Sequence, residues 1–191
     1  MKNFDKLALL GAALAVSATF AHATPVTGTL QYEPDLNTTV SYTGSGSNVT
    51  LSFTNSGLGN VSAPVVGFNG LTTGSDVAIS GSVNTASLPS TPIFTVTEGS
   101  NVITFVATGD SVSYDSSNFL DVVFTGVVSE TGFTSTAGQL VIDTHASLAG
   151  TQSSYSGSLA SLTPEPSSLM LMGTGLIGGA GMLMRRRRVT V

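Results

Sequence analysis

Residues able to carry out chemistry are scarce in this chain of 191 residues. Cysteine is absent, and the two histidines are His22 and His145. His145 follows Asp143 by two positions, so on a β-strand both side chains would point to one face and form an acid/base or metal-binding pair. A zinc site needs three or four ligands. We favour the alternative interpretation, a solvent-exposed strand face that carries polar residues.

A second group of candidates is rich in oxygen atoms. Asp110, Asp115 and Asp121 lie among Ser and Asn residues, and hard oxygen ligands of this kind suit calcium. Their spacing does not follow the EF-hand loop. Glu33 and Asp35 have the carboxylate chemistry of a glycosidase, but charge on a solvated loop explains them adequately. Calcium is therefore the candidate ligand, and no cofactor is predicted.

The charge distribution excludes several classes of partner. All basic residues lie at the two ends of the chain, and they are Lys2, Lys6, Arg185, Arg186, Arg187 and Arg188. Since Asp5 and Glu165 are the two acids outside residues 24–163, that segment carries nine carboxylates and no Lys or Arg. Such a segment cannot neutralise phosphates, which argues against nucleic-acid and anionic-lipid binding. With one histidine and no cysteine or lysine, the segment is also poorly equipped as an enzyme.

Alternating apolar and polar residues predict strands over most of the same segment. Val49, Leu51 and Phe53 alternate with polar neighbours, and this period of two, which predicts a buried face, recurs along the chain, for example over Val77–Val83 and Leu120–Val128. Two β-branched and aromatic runs separated by Glu98–Asn101 give the clearest hairpin. Roughly nine to eleven short strands predict an all-β, antiparallel fold, and we prefer a jelly-roll or Ig-like β-sandwich to a barrel.

The domain predicted from this pattern spans residues 24–149. Residues 150–163 lose the alternation and are predicted to form a flexible Ser/Gly/Thr-rich tether, with a short strand near Tyr155 as the alternative. Tryptophan is absent, and Tyr32 and Tyr42 occupy core phases. Exposed aromatic surfaces for stacking on sugars are therefore few.

The first 23 residues have the pattern of a secretory signal peptide. A charged start precedes the apolar run Leu7–Ala18, and Ala21 and Ala23 form an A-x-A site for signal peptidase. Cleavage after Ala23 is expected to release the chain on the outer side of the inner membrane. An apolar run this short would not span a bilayer about 30 Å thick.

Residues 164–191 have the pattern of a second targeting signal. Pro164, Glu165 and Pro166 precede the apolar segment 169–184. A cluster of four arginines follows that segment, namely Arg185, Arg186, Arg187 and Arg188. Sixteen residues at 1.5 Å per residue give a helix of about 24 Å, which is marginal for a transmembrane span. The positive-inside rule places the arginine cluster in the cytoplasm and Pro164 outside, in agreement with the signal peptide.

These three C-terminal parts, in this order, resemble the PEP-CTERM protein-sorting signal of Gram-negative bacteria. The resemblance covers about 25 residues. It implies recognition by an exosortase, a membrane-embedded sorting enzyme, with cleavage near Pro164–Pro166 and release or transfer to the cell surface or exopolysaccharide matrix. The preceding domain is not specified by this resemblance, because the signal is attached to many unrelated domains.

Two functions remain open for the predicted domain. The first is a secreted, non-catalytic cell-surface or biofilm-matrix protein whose acidity keeps it soluble. The second is a carbohydrate- or calcium-binding β-sandwich module displayed at the surface, with exopolysaccharide as a partner. A hydrolase is disfavoured because the usual nucleophiles and bases are missing.

Overall fold

The computed structural model describes residues 24–62, 65–114, 119–145 and 150–162. These residues form two antiparallel β-sheets, one of them closed into a barrel of eight strands. A 3-10 turn spans Thr54–Gly57. The strands are β1 (Thr29–Pro34), β2 (Val40–Ser45), β3 (Asn48–Phe53), β4 (Gly59–Val61), β5 (Asp76–Ile79), β6 (Ser82–Asn84), β7 (Phe94–Glu98), β8 (Asn101–Tyr114), β9 (Leu120–Glu130), β10 (Thr136–Thr144) and β11 (Tyr155–Ser161).

The barrel is an up-and-down meander. Its order around the ring is β1-β11-β10-β9-β8-β7-β5-β4, so each strand pairs with its neighbour in sequence once β2, β3 and β6 are set aside. β1 closes the ring, because Tyr32 pairs with Gly157 of β11 on one side and with Val61 of β4 on the other. The three remaining strands form a separate sheet in the order β2-β3-β6.

Side chains fill the interior of the barrel. Along β9 and β10 every second residue is buried, which is the period predicted from the sequence. The Tyr32 ring contacts Phe94 at 5.0 Å between centroids and Tyr155 at 6.4 Å. An eight-stranded barrel is about wide enough for side chains to occupy its centre, and these rings supply much of the apolar surface that stabilises it.

The two ends of the barrel differ. We call the end at which β1 begins and β11 ends the terminal end, because Thr24 and Leu162 both lie there. Backbone hydrogen bonds join Thr24 to the β9–β10 connection and Leu162 to the start of β10. The opposite end is the sheet end. There the three-stranded sheet packs on the barrel, with Phe53 against Tyr155 at 5.2 Å between ring centroids.

The expectation of an all-β antiparallel fold is confirmed, but the preference for a sandwich over a barrel was wrong. Closure depends on β4 and β5, which have three and four residues. Alternation along such short strands does not show which strands they pair with, and so does not show that the sheet closes. The predicted run Val77–Val83 also divides, since β5 belongs to the barrel and β6 to the small sheet.

The predicted tether over residues 150–163 also needs correction. Tyr155–Ser161 forms β11, which lies between β10 and β1 in the barrel. Its alternation is hidden because one inward position is Gly157, where a Cβ atom would lie 2.6 Å from Cζ of Tyr32. The folded part therefore continues past residue 149, where the domain was predicted to end, to Ser161. The predicted hairpin is confirmed, with Glu98 paired to Asn101 across the turn.

Candidate functional site

Two of the candidate acids, Asp121 and Asp143, lie in a row across four strands at the sheet end. Asp121 of β9 is paired with Ser113 of β8 on one side and with Asp143 of β10 on the other. Asp143 is in turn paired with Ser156 of β11. We call these four residues the acidic row. Because cross-strand partners share a face, the row presents two carboxyl groups and two hydroxyl groups on the outside of the barrel.

His145 lies beside this row, as its spacing from Asp143 predicts. Its Nδ1 atom is 2.9 Å from Oγ of Ser154, and its ring contacts Phe119 edge-on at 5.9 Å between centroids. Partial burial raises the pKa of Asp143 above its ordinary value, and the charge of nearby His145 opposes that rise. The pair is therefore electrostatically coupled.

Ser154, His145 and Asp143 have the residue types of a nucleophile, a base and an acid. In a catalytic triad the serine meets Nε2 of the histidine while Nδ1 faces the carboxylate. Here Nδ1 faces the serine. Ser154 and His145 are both exposed, so the geometry orients the imidazole ring on an open surface without enclosing a reacting group.

The calcium candidates are not brought together. Asp110 is paired with Phe124, whereas Asp121 is paired with Ser113, three positions further along β8. Three residues of strand correspond to about 10 Å, and an odd separation places the two side chains on opposite faces. Asp115 lies outside the described residues. Within the described part of the chain, no three His, Cys, Asp or Glu residues lie close enough together to hold a metal ion.

The tyrosines are mostly part of the core. Tyr32 and Tyr42 are buried, as their phases predict, and so is Tyr155. Burial raises the pKa of each of these phenols, and for Tyr32 and Tyr42 a neighbouring tyrosine adds to the rise. Tyr114, with 40% of its surface exposed, packs edge-on against Tyr42. One half-exposed ring gives little flat surface for a sugar.

A buried carboxyl group at the terminal end was not singled out from the sequence. Glu130 is 5% exposed, and its Oε1 atom accepts hydrogen bonds from the backbone N–H of Asn69 at 2.8 Å and from Nδ2 of Asn101 at 3.2 Å. It connects the 65–75 loop to the β7–β8 hairpin. The available signal was its position on the inward phase of β9, two residues after Val128.

The C-terminal residues match a known family. Residues 162–188 fit the family model of the PEP-CTERM protein-sorting motif. The chain carries this sorting motif. The resemblance is therefore confirmed, and the matched range begins at Leu162, directly after β11. It includes all the residues on which the resemblance was based, namely Pro164, Glu165, Pro166, Arg185, Arg186, Arg187 and Arg188. No curated protein and no solved structure shows a significant match to the chain.

The PEP-CTERM motif implies export and processing by an exosortase. Several predicted parts of the export pathway lie outside the described residues: the signal peptide with Ala21 and Ala23, the PEP tripeptide Pro164–Pro166, the transmembrane helix at 169–184, and the cluster Arg185, Arg186, Arg187 and Arg188. The positions assigned to them relative to a membrane stay predictions. Within the described ranges, no helix has the length and apolar character needed to cross a membrane.

Proposed function

We propose that this chain is a non-catalytic cell-surface or matrix protein, delivered by its sorting motif and acting through the outer surface of its barrel. The observation that carries the proposal is the position of the motif, which starts at Leu162 immediately after the last barrel strand. The exported product is therefore the barrel with its attached sheet. A biofilm or exopolysaccharide matrix is the proposed destination.

Two features of the barrel support a non-catalytic role. Its interior is filled by apolar and aromatic side chains, including the fully buried Phe105 and Phe124. Among its candidate acids, Asp110 and Asp121 lie on opposite faces of the sheet, whereas Asp121 and Asp143 are cross-strand partners on one open face. An acyl- or glycosyl-transfer site requires a nucleophile or carboxylate pair in a defined geometry beside a substrate, and the described residues offer an open acidic row instead.

The proposed delivery is tested by the intact mass of the protein from membrane, surface and medium fractions of the native host. We expect a mature form that begins at Thr24, ends near Pro164–Pro166 and lies outside the inner membrane. Recovery of only a form that retains Arg185–Arg188 in the inner membrane would show that the C-terminal segment is a permanent anchor. Formation of a product with this mass requires two enzymes, signal peptidase at the N-terminal site and exosortase at the C-terminal site.

The alternative is a carbohydrate- or calcium-binding module, and the acidic row is the observation that favours it. Asp121 and Asp143 are direct cross-strand partners, and like charges in this position destabilise a sheet unless a cation lies between them. A calcium-bound row would raise the thermal stability of the protein as calcium is added. An equal rise in melting temperature with calcium and with magnesium, or the same calcium-induced rise in Asp143→Asn as in the unaltered protein, would exclude specific calcium binding there.

A further inference from the structure

The sorting motif begins within the hydrogen-bonded fold. Leu162, its first matched residue, donates its backbone N–H to the carbonyl oxygen of Ala137 at 2.7 Å. On the other side of β11, Ser161 donates its N–H to the carbonyl of Gly28 at 2.8 Å. Oγ of Ser161 also accepts the N–H of Gly28 at 2.6 Å. Ser161 and Leu162, the last described residues before the PEP tripeptide, are thus bound to β10 and to the residue that precedes β1.

This arrangement leaves little free chain for an enzyme to bind. Pro164 is two residues beyond Leu162, which corresponds to at most about 7 Å of extended chain. Proteases and related enzymes commonly hold an extended segment through its backbone N–H and C=O groups. At Ser161 and Leu162 the N–H groups are already used by the barrel.

We propose that the end of β11, Ser161 and Leu162, must separate from β1 and β10 before the sorting enzyme processes the chain, so that the barrel controls the rate of its own processing. This inference rests on the proposed function. Local opening of a strand end requires much less free energy than unfolding of the whole domain. Leu162 is 50% exposed, so the opening can begin there without uncovering the core.

The first experiment lengthens the chain between the barrel and the PEP tripeptide, one residue inside the matched range. A six-residue Gly/Ser insertion between Leu162 and Thr163 provides free backbone without opening β11, and pulse-chase labelling in the native host measures the rate of conversion to the processed mass. We expect at least a threefold faster conversion. The matched control places the same insertion between Gly99 and Ser100, in the β7–β8 turn, and should convert at the rate of the unaltered protein.

The second experiment holds the end of β11 against β10 with a disulfide bond that can be reduced. Leu162→Cys combined with Ala137→Cys places two thiols on adjacent strands of a chain that has no other cysteine, and both original side chains are exposed. In membranes isolated with the sorting enzyme, the oxidised variant should be processed at least tenfold more slowly than the same variant after reduction. The single Leu162→Cys variant controls for the change within the motif.

The outcomes separate the inference from the proposed function. If the unaltered protein is processed and neither the insertion nor the disulfide changes the rate, opening of β11 is not required and the inference is wrong. If no form of the protein is processed in its native host, the proposed sorting itself fails and the inference falls with it. Faster processing of both insertion variants would indicate general destabilisation and would also overturn the inference.

Discussion

At the scale of single residues, Gly157 and Tyr32 show how one missing side chain allows the barrel to close. The Tyr32 ring passes over Gly157, and its hydroxyl group donates to the carbonyl of Val141 at 3.1 Å. A side chain at Gly157 would displace the ring from the centre of the core. The same glycine removes an apolar residue from the pattern of β11, which weakens the sequence alternation of that strand.

Gly157→Ala is expected to destabilise the protein by about 1–3 kcal/mol, because the new methyl group would overlap the backbone carbonyl oxygen of Val141 as well as the Tyr32 ring. Chemical denaturation measures the change in the free energy of unfolding. The control is Gly81→Ala, where an added Cβ meets no atom within 4 Å; its effect should remain within about 0.5 kcal/mol. Equal stability of the two variants would contradict the close contact.

Asp143 makes stability depend on pH in a defined direction. Its pKa is raised in the folded state by partial burial. An acid with a higher pKa in the folded than in the unfolded state binds protons more tightly when folded, so its ionisation favours unfolding. This penalty is absent below the unfolded-state pKa and develops as the pH rises through the raised folded-state pKa.

Asp143→Asn is therefore expected to be more stable than the unaltered protein at neutral pH. The advantage should disappear when the pH falls below the ordinary range of a carboxyl group, to about pH 3, because Asp143 is then protonated in both states. Urea unfolding of both proteins at neutral pH and at about pH 3 measures the difference in their free energies of unfolding. Asp76→Asn removes an exposed charge at the terminal end and controls for net charge. An advantage that persists in acid would contradict the assigned cause.

At the scale of elements, the sequence predicted long strands better than it predicted their partners. β8, β9 and β10 have nine to fourteen residues, and each contains a run that the sequence predicted as strand. For β9 the alternation also predicted the buried face. Alternation fixes the face of a residue but does not specify which strand lies next to it. β6 contains the predicted core residue Val83, but it pairs with β3 in the small sheet and is not part of the barrel.

The candidate site was likewise predictable only where it depends on residues close together in the sequence. Asp143 and His145 were predicted to share a face because they are two positions apart on one predicted strand, and the structure places them close enough for electrostatic coupling. Asp121, proposed instead with Asp110, meets Asp143 through the β9–β10 register. That register depends on tertiary pairing, so the acidic row was not predictable from spacing along the chain.

Glu130 connects elements at the terminal end, and its loss should free the 65–75 loop. In Glu130→Ala the backbone N–H of Asn69 loses its acceptor, so its hydrogen exchange should accelerate at least tenfold, the size expected for a hydrogen bond to a carboxyl group. Exchange followed by NMR or mass spectrometry measures this. Glu130→Gln retains an Oε1 acceptor and should preserve most of the protection; equal loss in both variants would assign the effect to charge.

At the scale of the whole molecule, β11 completes the barrel. It forms the contacts with both β10 and β1 and contributes the buried residues Tyr155 and Leu159 to the single core shared with the small sheet. Without it the ring would expose two strand edges and the interior aromatic rings. An open edge of this kind is prone to pair with other chains.

A chain that stops after Gly150 should consequently fail to fold, whereas one that stops after Thr163 should retain the barrel. Near-ultraviolet circular dichroism of the buried tyrosines and resistance to limited proteolysis distinguish the two results. A cooperative unfolding transition in the shorter chain would contradict the role assigned to β11 and would restore residues 150–163 as a tether.

The common location of Thr24 and Leu162 gives the barrel a fixed polarity. Attachment through residues preceding Thr24 or through residues following Leu162 would hold the same end toward the supporting surface. The three-stranded sheet and the acidic row would point outward in both cases. Molecules attached to a surface in this way would therefore all have the same orientation, with the sheet end and the carboxyl groups of the acidic row facing the solvent.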